Sequence, residues 1–387
     1  MSPLERGGTS GGRWESASIL DQQWLPPSSP PLEKGGRSES NELIWEARSA
    51  RRLIMRPKKS PLRTAAPTLD TFLSMFKQRE LNSSVSGATW LHRFALVATF
   101  CTFVLIIAGA LVTGNEAGLA VPDWPLSYGS LMPPMVGGIR YEHGHRMIAA
   151  FVGLLTTVLA FWRWRRESRR SVRMLGFIAL GAVVAQGILG GITVLFFLPT
   201  IISVSHACLA QAFFCLMVSL TLVTSPGWRQ GVRQLEARGN SFFQRLCAFT
   251  TGFIYLQLIL GAALRHSRSG IVFHLVGALV VTVLVMLVVT RVLRYYPDVS
   301  SLFRAALVLS ILLLAQLFLG MGSYLMRLAA RQDVQPALAM VTITTAHVAV
   351  GALVLVTSLI LTLQSYRLLP QANKMRRFSA APQKVAL

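Results

Sequence analysis

From about residue 90 onward, long apolar runs alternate with short polar breaks. Eight such runs stand out, at 92–113, 144–162, 174–196, 202–224, 244–264, 271–291, 303–324 and 341–363. Each is near the roughly 20 residues a helix needs to cross the hydrocarbon core of a bilayer. The pattern predicts an all-α polytopic membrane protein with eight transmembrane helices. Residues 1–85 read differently: they are rich in Pro, Gly, Ser and charge, as in Trp24-Leu25-Pro26-Pro27-Ser28-Ser29-Pro30-Pro31, and carry no periodic apolar face. Such a segment is expected to be a disordered extension. The spans divide into halves at 86–228 and 240–366, followed by a tail at 367–387.

Within the spans a unit repeats. Odd spans carry Q-x-x-L-G, as Gln186 to Gly190, Gln257 to Gly261 and Gln316 to Gly320, and the first span keeps only Ala108-Gly109-Ala110. Every even span has one histidine near its beginning: His145, His206, His274 and His347. A glycine helix followed by a histidine helix therefore recurs four times, which groups into two repeated four-helix bundles of the same membrane orientation. The small residues let neighbouring backbones approach closely.

Composition agrees with a membrane protein: 52% of residues are hydrophobic, 14% are charged, and the mean hydropathy is +0.51. The net charge of +22 would suggest nucleic acid in a soluble protein, but here the arginines flank apolar spans, as the positive-inside rule requires. Nucleic acid is excluded as a partner on that ground. Arg163, Arg165, Arg166, Arg169, Arg170 and Arg173 follow the second span, and the later even-to-odd breaks are also basic. Both termini are thus expected in the cytoplasm and the histidine ends of the helices on the outer side. The membrane expected is the bacterial inner membrane. A mitochondrial presequence fits less well, because Glu5, Glu15, Asp21, Glu33, Glu39, Glu42 and Glu46 interrupt the extension. Cys101, Cys208, Cys215 and Cys247 lie in or beside apolar stretches without metal-type spacing and read as small core residues.

Four histidines at one level on four helices are the candidate chemistry. Polar groups in spans face the bundle interior, and zinc or copper sites generally add Cys or carboxylate or gather their histidines locally. Two facing helices, each giving one imidazole, can instead clamp haem iron from opposite faces. The repeat pairs His145 with His206 and His274 with His347, as iron axial ligands. His92, His143 and His266 fall at span edges or in loops and are expected to be solvated or interfacial.

The halves differ chemically. Glu142-His143-Gly144-His145-Arg146 opens the first histidine helix and sets Glu142 about one turn from His145. That carboxylate is the candidate catalytic group, able to take a proton or stabilise positive charge, and Arg146 is suited to a haem propionate. The asymmetry suggests a reacting haem in the first half and an electron-handling or structural haem in the second. The first outer loop, from Thr113 to Pro134, is long for a helix connection and reads as an ordered lid over the first-half pocket.

The Ala117-Gly118-Leu119-Ala120-Val121-Pro122-Asp123-Trp124-Pro125 loop, the E-x-G-H-R helix start, the Q-G-x-L-G-G span and His206, His274 and His347 together resemble the haem A synthase family, over roughly residues 90–365. The resemblance implies an oxidoreductase of haem A biosynthesis, serving cytochrome oxidase assembly. It would oxidise the methyl at ring position eight of haem O to a formyl group. It implies that the N-terminal pair binds haem O and its product haem A, that the C-terminal pair holds haem b, and that Glu142 stands at the reacting site. Haem O and the bilayer are the partners it implies; a haem O synthase, an electron acceptor and a second copy of the chain are candidates. Two departures stand out: some relatives carry a Cys pair where this chain has Val121 and Ser127, and a Thr-Arg pair before the loop is replaced by Val112-Thr113-Gly114. The competing expectation is a bis-histidine, two-haem electron carrier like cytochrome b, which would need neither Glu142 nor a substrate-sized pocket.

Overall fold

The structure, a computed structural model, describes residues 69–229, 241–267, 269–329 and 337–369, with side chains from residue 89 onward. Among these residues it contains nine helices: α1 (Leu69–Gly114), α2 (Ile139–Arg166), α3 (Arg170–Leu195), α4 (Thr200–Thr224), α5 (Pro226–Arg229), α6 (Ser241–Ser267), α7 (Ile271–Tyr295), α8 (Ser300–Ala329) and α9 (Leu338–Leu368). All but the short α5 contain a stretch long and apolar enough to span a membrane, in α1 from Thr89 onward. The expected eight spans are therefore all present. The helix of the first span begins earlier than expected, because the backbone from Leu69 is already helical and only 1–68 of the extension lie outside the described residues. The tail from 370 lies outside them as well.

Large exposed apolar side chains such as Phe151, Val276, Leu279 and Phe318 cover the helices, as expected of surfaces that face lipid. The buried apolar side chains fall into separate clusters. One joins α1 to α4 through Leu91, Ala95, Val152, Leu159, Ala179, Phe213 and Met217. Another joins α6 to α9 through Ile254, Val285, Leu309 and Leu355. A smaller one, with Ile106, Phe214, Val218, Ala352 and Val356, closes the seam between α1, α4 and α9. This packing is compatible with two four-helix halves.

Hydroxyl groups tie the first and last helix of each half in the same manner. Thr99 Oγ1 of α1 lies 2.8 Å from Thr221 Oγ1 and donates to Met217 O of α4 at 3.1 Å. Thr251 Oγ1 of α6 lies 2.8 Å from Ser358 Oγ and 2.9 Å from Thr362 Oγ1 of α9. Interhelical bonds of this kind contribute roughly 0.6 kcal/mol each in a membrane, so they set register more than they add stability.

At the end opposite the histidines, the α2–α3 corner is fastened by charge. Arg163 is fully buried and donates to Leu220 O at 3.3 Å. Glu167, just beyond α2, accepts from Arg169 at 2.9 and 3.0 Å and from Arg229 of α5 at 3.1 Å. Burial alone would push the Glu167 carboxyl up, but the Arg169 bonds and the Arg229 charge outweigh it and hold it down to about 2.

Candidate functional site

Each of the four expected ligands lies near the start of an even-numbered span and packs against the glycine of the helix before it. The Cα of Gly109 faces His145, Gly190 faces His206, Gly261 faces His274 and Gly320 faces His347. A methyl group added at these glycines would stand 3.1, 3.3, 3.1 and 3.0 Å from the imidazole Cε1 in turn. The glycine leaves room for an imidazole edge against the neighbouring backbone, which is why the pair recurs as a unit in the sequence.

The glutamines of Q-x-x-L-G belong to the same arrangement. A residue four positions before the glycine shares its helix face, so each glutamine lies one turn below. Gln257 Nε2 is 3.1 Å from His274 Nδ1 and donates to His274 O at 2.8 Å; Gln316 Nε2 is 3.3 Å from His347 Nε2. Both amides lean on a glycine of the histidine helix: Gln257 on Gly277 and Gln316 on Gly351. In the second half, therefore, histidine rests on glycine and glutamine on glycine in reciprocal fashion. The repeat marked these glutamines in the sequence, but their contact with the ligands was not expected.

His274 and His347 have ring centroids 6.4 Å apart with planes inclined at 75°. An imidazole centroid lies about 1 Å from its ligating nitrogen and a metal–nitrogen bond is roughly 2 Å, so two imidazoles on opposite faces of one ion stand about 6 Å apart. His206 lies within electrostatic reach of His145. Oε1 of Gln186, Gln257 and Gln316 is in each case buried without a hydrogen-bond partner. Buried polar atoms are ordinarily paired; three unpaired amide oxygens, each one turn from a glycine that seats an imidazole, fit a site whose polar complement comes from a bound group. The imidazoles come in twos, and among the described residues no three His, Cys, Asp or Glu side chains converge; this donor set fits a group held through two histidines.

Over the first pair lies residues 115–138, the connection between α1 and α2. It is fastened at four points. Glu142 Oε2 accepts from the N–H of Val121 at 2.8 Å. Arg146 donates to Asp123 O (2.7 Å), Leu126 O (2.9 Å) and Val121 O (3.2 Å) while pairing with Glu142 Oε1 at 2.7 Å. Ser127 Oγ and His143 Nδ1 share a 2.8 Å bond. Finally, the Trp124 indole lies so close to Gly191, the residue after the His206-facing glycine, that an added methyl would stand 2.7 Å from it. The turn itself is set by Asp123, whose carboxylate accepts from Tyr128 N at 2.7 Å and Gly129 N at 2.8 Å. The Gly129 and Tyr128 N–H groups hold that carboxyl below its ordinary range. Val121 and Ser127, where the family resemblance places a cysteine pair in some relatives, are thus each tied to α2 by a polar bond.

Several expectations change here. Glu142 is 4% exposed and engaged by both the lid and Arg146. Both terminal nitrogens of Arg146 are bonded to the lid and Glu142. His143 is not solvated: it is buried, because the lid folds back onto it through Ser127. His266 lies in the last turn of α6 and is half-buried, not in a loop. His92, with a buried Nδ1 lacking a partner, lies in α1 within reach of Arg163 and Arg229, far from the ligand end.

The chain is similar in sequence to known proteins. Residues 138–274 match the family model described as cytochrome oxidase assembly protein. A haem A synthase of Lysinibacillus sphaericus is 28% identical over 186 residues, 47% of this chain and 60% of that relative. Haem A synthases of Halalkalibacterium halodurans and Bacillus pumilus are 24% and 23% identical over 260 and 267 residues, covering 59% and 62% of this chain and 85% and 87% of the relatives. This chain spans 60% of the length of the Lysinibacillus sphaericus protein and likewise 60% of a haem A synthase of Alkalihalophilus pseudofirmus, to which it is 25% identical.

Proposed function

From a chain that resembles the haem A synthase family, we propose an enzyme of haem A biosynthesis that oxidises the methyl group at ring position eight of haem O to a formyl group. The observation that carries this reading is the set of four glycine-backed imidazoles, with a lid over the first two, and over those alone among the described residues. His145 and His206 hold the substrate haem, and His274 and His347 hold haem b. Bound haem would supply redox-active iron; turning the methyl into a formyl group takes up one oxygen atom from water and gives up four electrons and four protons, and the electrons would pass to an external acceptor.

The chain's own contribution is positioning and water exclusion. His145 and His206 fix the tetrapyrrole from two helices whose spacing is set by Gly109 and Gly190. The lid, fastened through Trp124 and Arg146, covers the histidine end of α2 and excludes bulk water there. Glu142 stands one turn from His145 and can receive a proton on the oxygen that otherwise accepts from Val121 N–H. Arg146 keeps only its Nε–H for a propionate and holds Glu142 and the lid with the rest. With the histidine ends outward in a bacterial inner membrane, the lid lies on the outer face. A haem O synthase, an electron acceptor and a second copy of the chain remain the partners this reading implies.

The test is extraction and chromatography of haems from membranes that co-express this chain with a haem O source. Haem A or its hydroxylated intermediate is the expected product. Haem b and unmodified haem O alone, with the protein present, would refute the oxidation and leave the electron-carrier reading.

A further inference from the structure

Arg265 is a cation inside the bundle to which no carboxylate is paired among the described residues. It lies in the last turn of α6, and its Nη2 donates to Ala110 O of α1 at 3.2 Å. The same nitrogen is 3.5 Å from where a methyl on Gly114 would stand, a point also met by Val341 Cγ1 at 3.1 Å and Thr345 Oγ1 at 3.7 Å. Thr345 Oγ1 is buried without a partner and lies two residues before the ligand His347. Arg265 acts electrostatically on His347, and Arg327, exposed in the last turn of α8, acts on Arg265. Arg265 therefore lies toward the histidine end of the second pair, and Arg327 lies within electrostatic reach of Arg265.

Spacing accounts for this placement. Arg265 follows Gly261 by four residues and Arg327 follows Gly320 by seven, so each lies on the face whose glycine carries a ligand imidazole. The positions four beyond the other three glycines are Thr113, Val194 and Tyr324. An arginine four residues beyond the glycine occurs in one repeat of the four. An ionisable side chain in a span is costly and is kept where it meets a ligand or partner. A guanidinium with free N–H donors matches a carboxylate in a planar, bidentate way.

Resting on the proposed function, we propose that Arg265, assisted by Arg327 and Thr345, is the carboxylate anchor of the second haem, binding its propionates beside His347. Its bond to Ala110, the neighbour of the His145-facing Gly109, ties that anchor to the helix lining the first site.

The test uses full-length protein produced without haem and titrated with either haemin or haemin dimethyl ester, which has the same ring without free carboxylates. Binding is read from the bis-imidazole absorption bands, with His145→Ala present throughout so that only the second site is seen. The unsubstituted Arg265 protein is expected to bind the diacid about tenfold more tightly than the ester, and Arg265→Gln is expected to bind both alike, at the ester's affinity. Arg327→Gln, at an exposed position, is measured in parallel and is expected to narrow the same preference should Arg265→Gln not fold. Equal weakening of diacid and ester in Arg265→Gln, or an unchanged preference in both variants, would overturn the anchor while leaving the proposed function standing. Binding of neither haem by the parent would overturn that function and the anchor with it.

Discussion

Replacing Glu142 separates its two duties, closing the lid and handling a proton. In Glu142→Ala the N–H of Val121, a residue wholly shielded from solvent, is left without an acceptor, which costs about 1–3 kcal/mol. Arg146 also loses its charge partner at 2.7 Å, where the carboxylate is 5% and the guanidinium side chain 15% exposed. Breaking a buried pair costs about 3–5 kcal/mol, and the three lid carbonyls that Arg146 keeps place the total near the lower bound. Glu142→Gln retains an acceptor for Val121 and loses the charge alone, about 1.5 kcal/mol by the usual difference between charged and neutral bonds. With a factor of ten for roughly each 1.4 kcal/mol, hydrogen exchange at Val121 should accelerate on the order of 100-fold in the alanine variant and about tenfold in the glutamine variant. Exchange mass spectrometry of residues 115–138 in the purified protein measures this directly. Unaltered lid protection in Glu142→Ala would refute the fastening. Conversion of haem O then divides the duties: equal loss in both variants assigns Glu142 to proton handling, and loss graded with lid opening assigns it to closure.

Three further outcomes follow from the same geometry. Gly320→Val, whose first added carbon stands 3.0 Å from His347 Cε1, should lower haem content of the second site as His274→Ala does, measured by pyridine haemochrome assay; normal content would refute the glycine's role as a seat for the ligand. Gly191→Ala must displace a rigid indole from 2.7 Å, so limited proteolysis should cut within 115–138 several-fold faster while the spans stay protected, and an unchanged rate would refute the docking of Trp124. Glu167 has a folded-state pKa near 2 against an ordinary 4.5, so its stabilisation is fully present above pH 4.5 and is lost as pH falls toward 2. Melting curves of the detergent-solubilised protein and Glu167→Gln should differ at neutral pH and converge in acid; a difference that persists at pH 2 would refute the assignment.

The eight spans were legible because a bilayer demands long apolar runs and tolerates few interruptions. The placement of the four candidate histidines was legible for a different reason: His145, His206, His274 and His347 each follow a glycine-bearing helix, and a fourfold recurrence stands out against chance. What fastens the lid was largely hidden. The Glu142–Arg146 spacing of four residues is an ordinary helical ion-pair signal and could have been read, but the carbonyls that Arg146 reaches depend on how residues 115–138 fold back. His143 looked solvated because nothing local announces that Ser127, sixteen positions earlier, covers it. Arg265 looked like one more flanking cation, since its contact with Ala110 joins helices from different halves. The helical backbone from Leu69 was missed although Leu69, Phe72, Leu73 and Phe76 recur at helical spacing, because a mostly polar stretch at 77–87 separates them from the first apolar span.

The glycine beneath each histidine has a consequence for how such a protein can change. A methyl at Gly109, Gly190, Gly261 or Gly320 would already crowd the imidazole by a few tenths of an ångström, and larger side chains would displace it, so variation at these seats moves the histidines. The connections between helices are under no such constraint: α1 and α2 are separated by residues 115–138, whereas α7 starts four residues after α6 ends, with Gly270 at φ 88° making the turn. Innovation in this architecture is therefore channelled into what spans the helix ends. Grafting the 115–138 segment between α6 and α7 is the most economical way to ask whether reactivity can be moved from one half to the other.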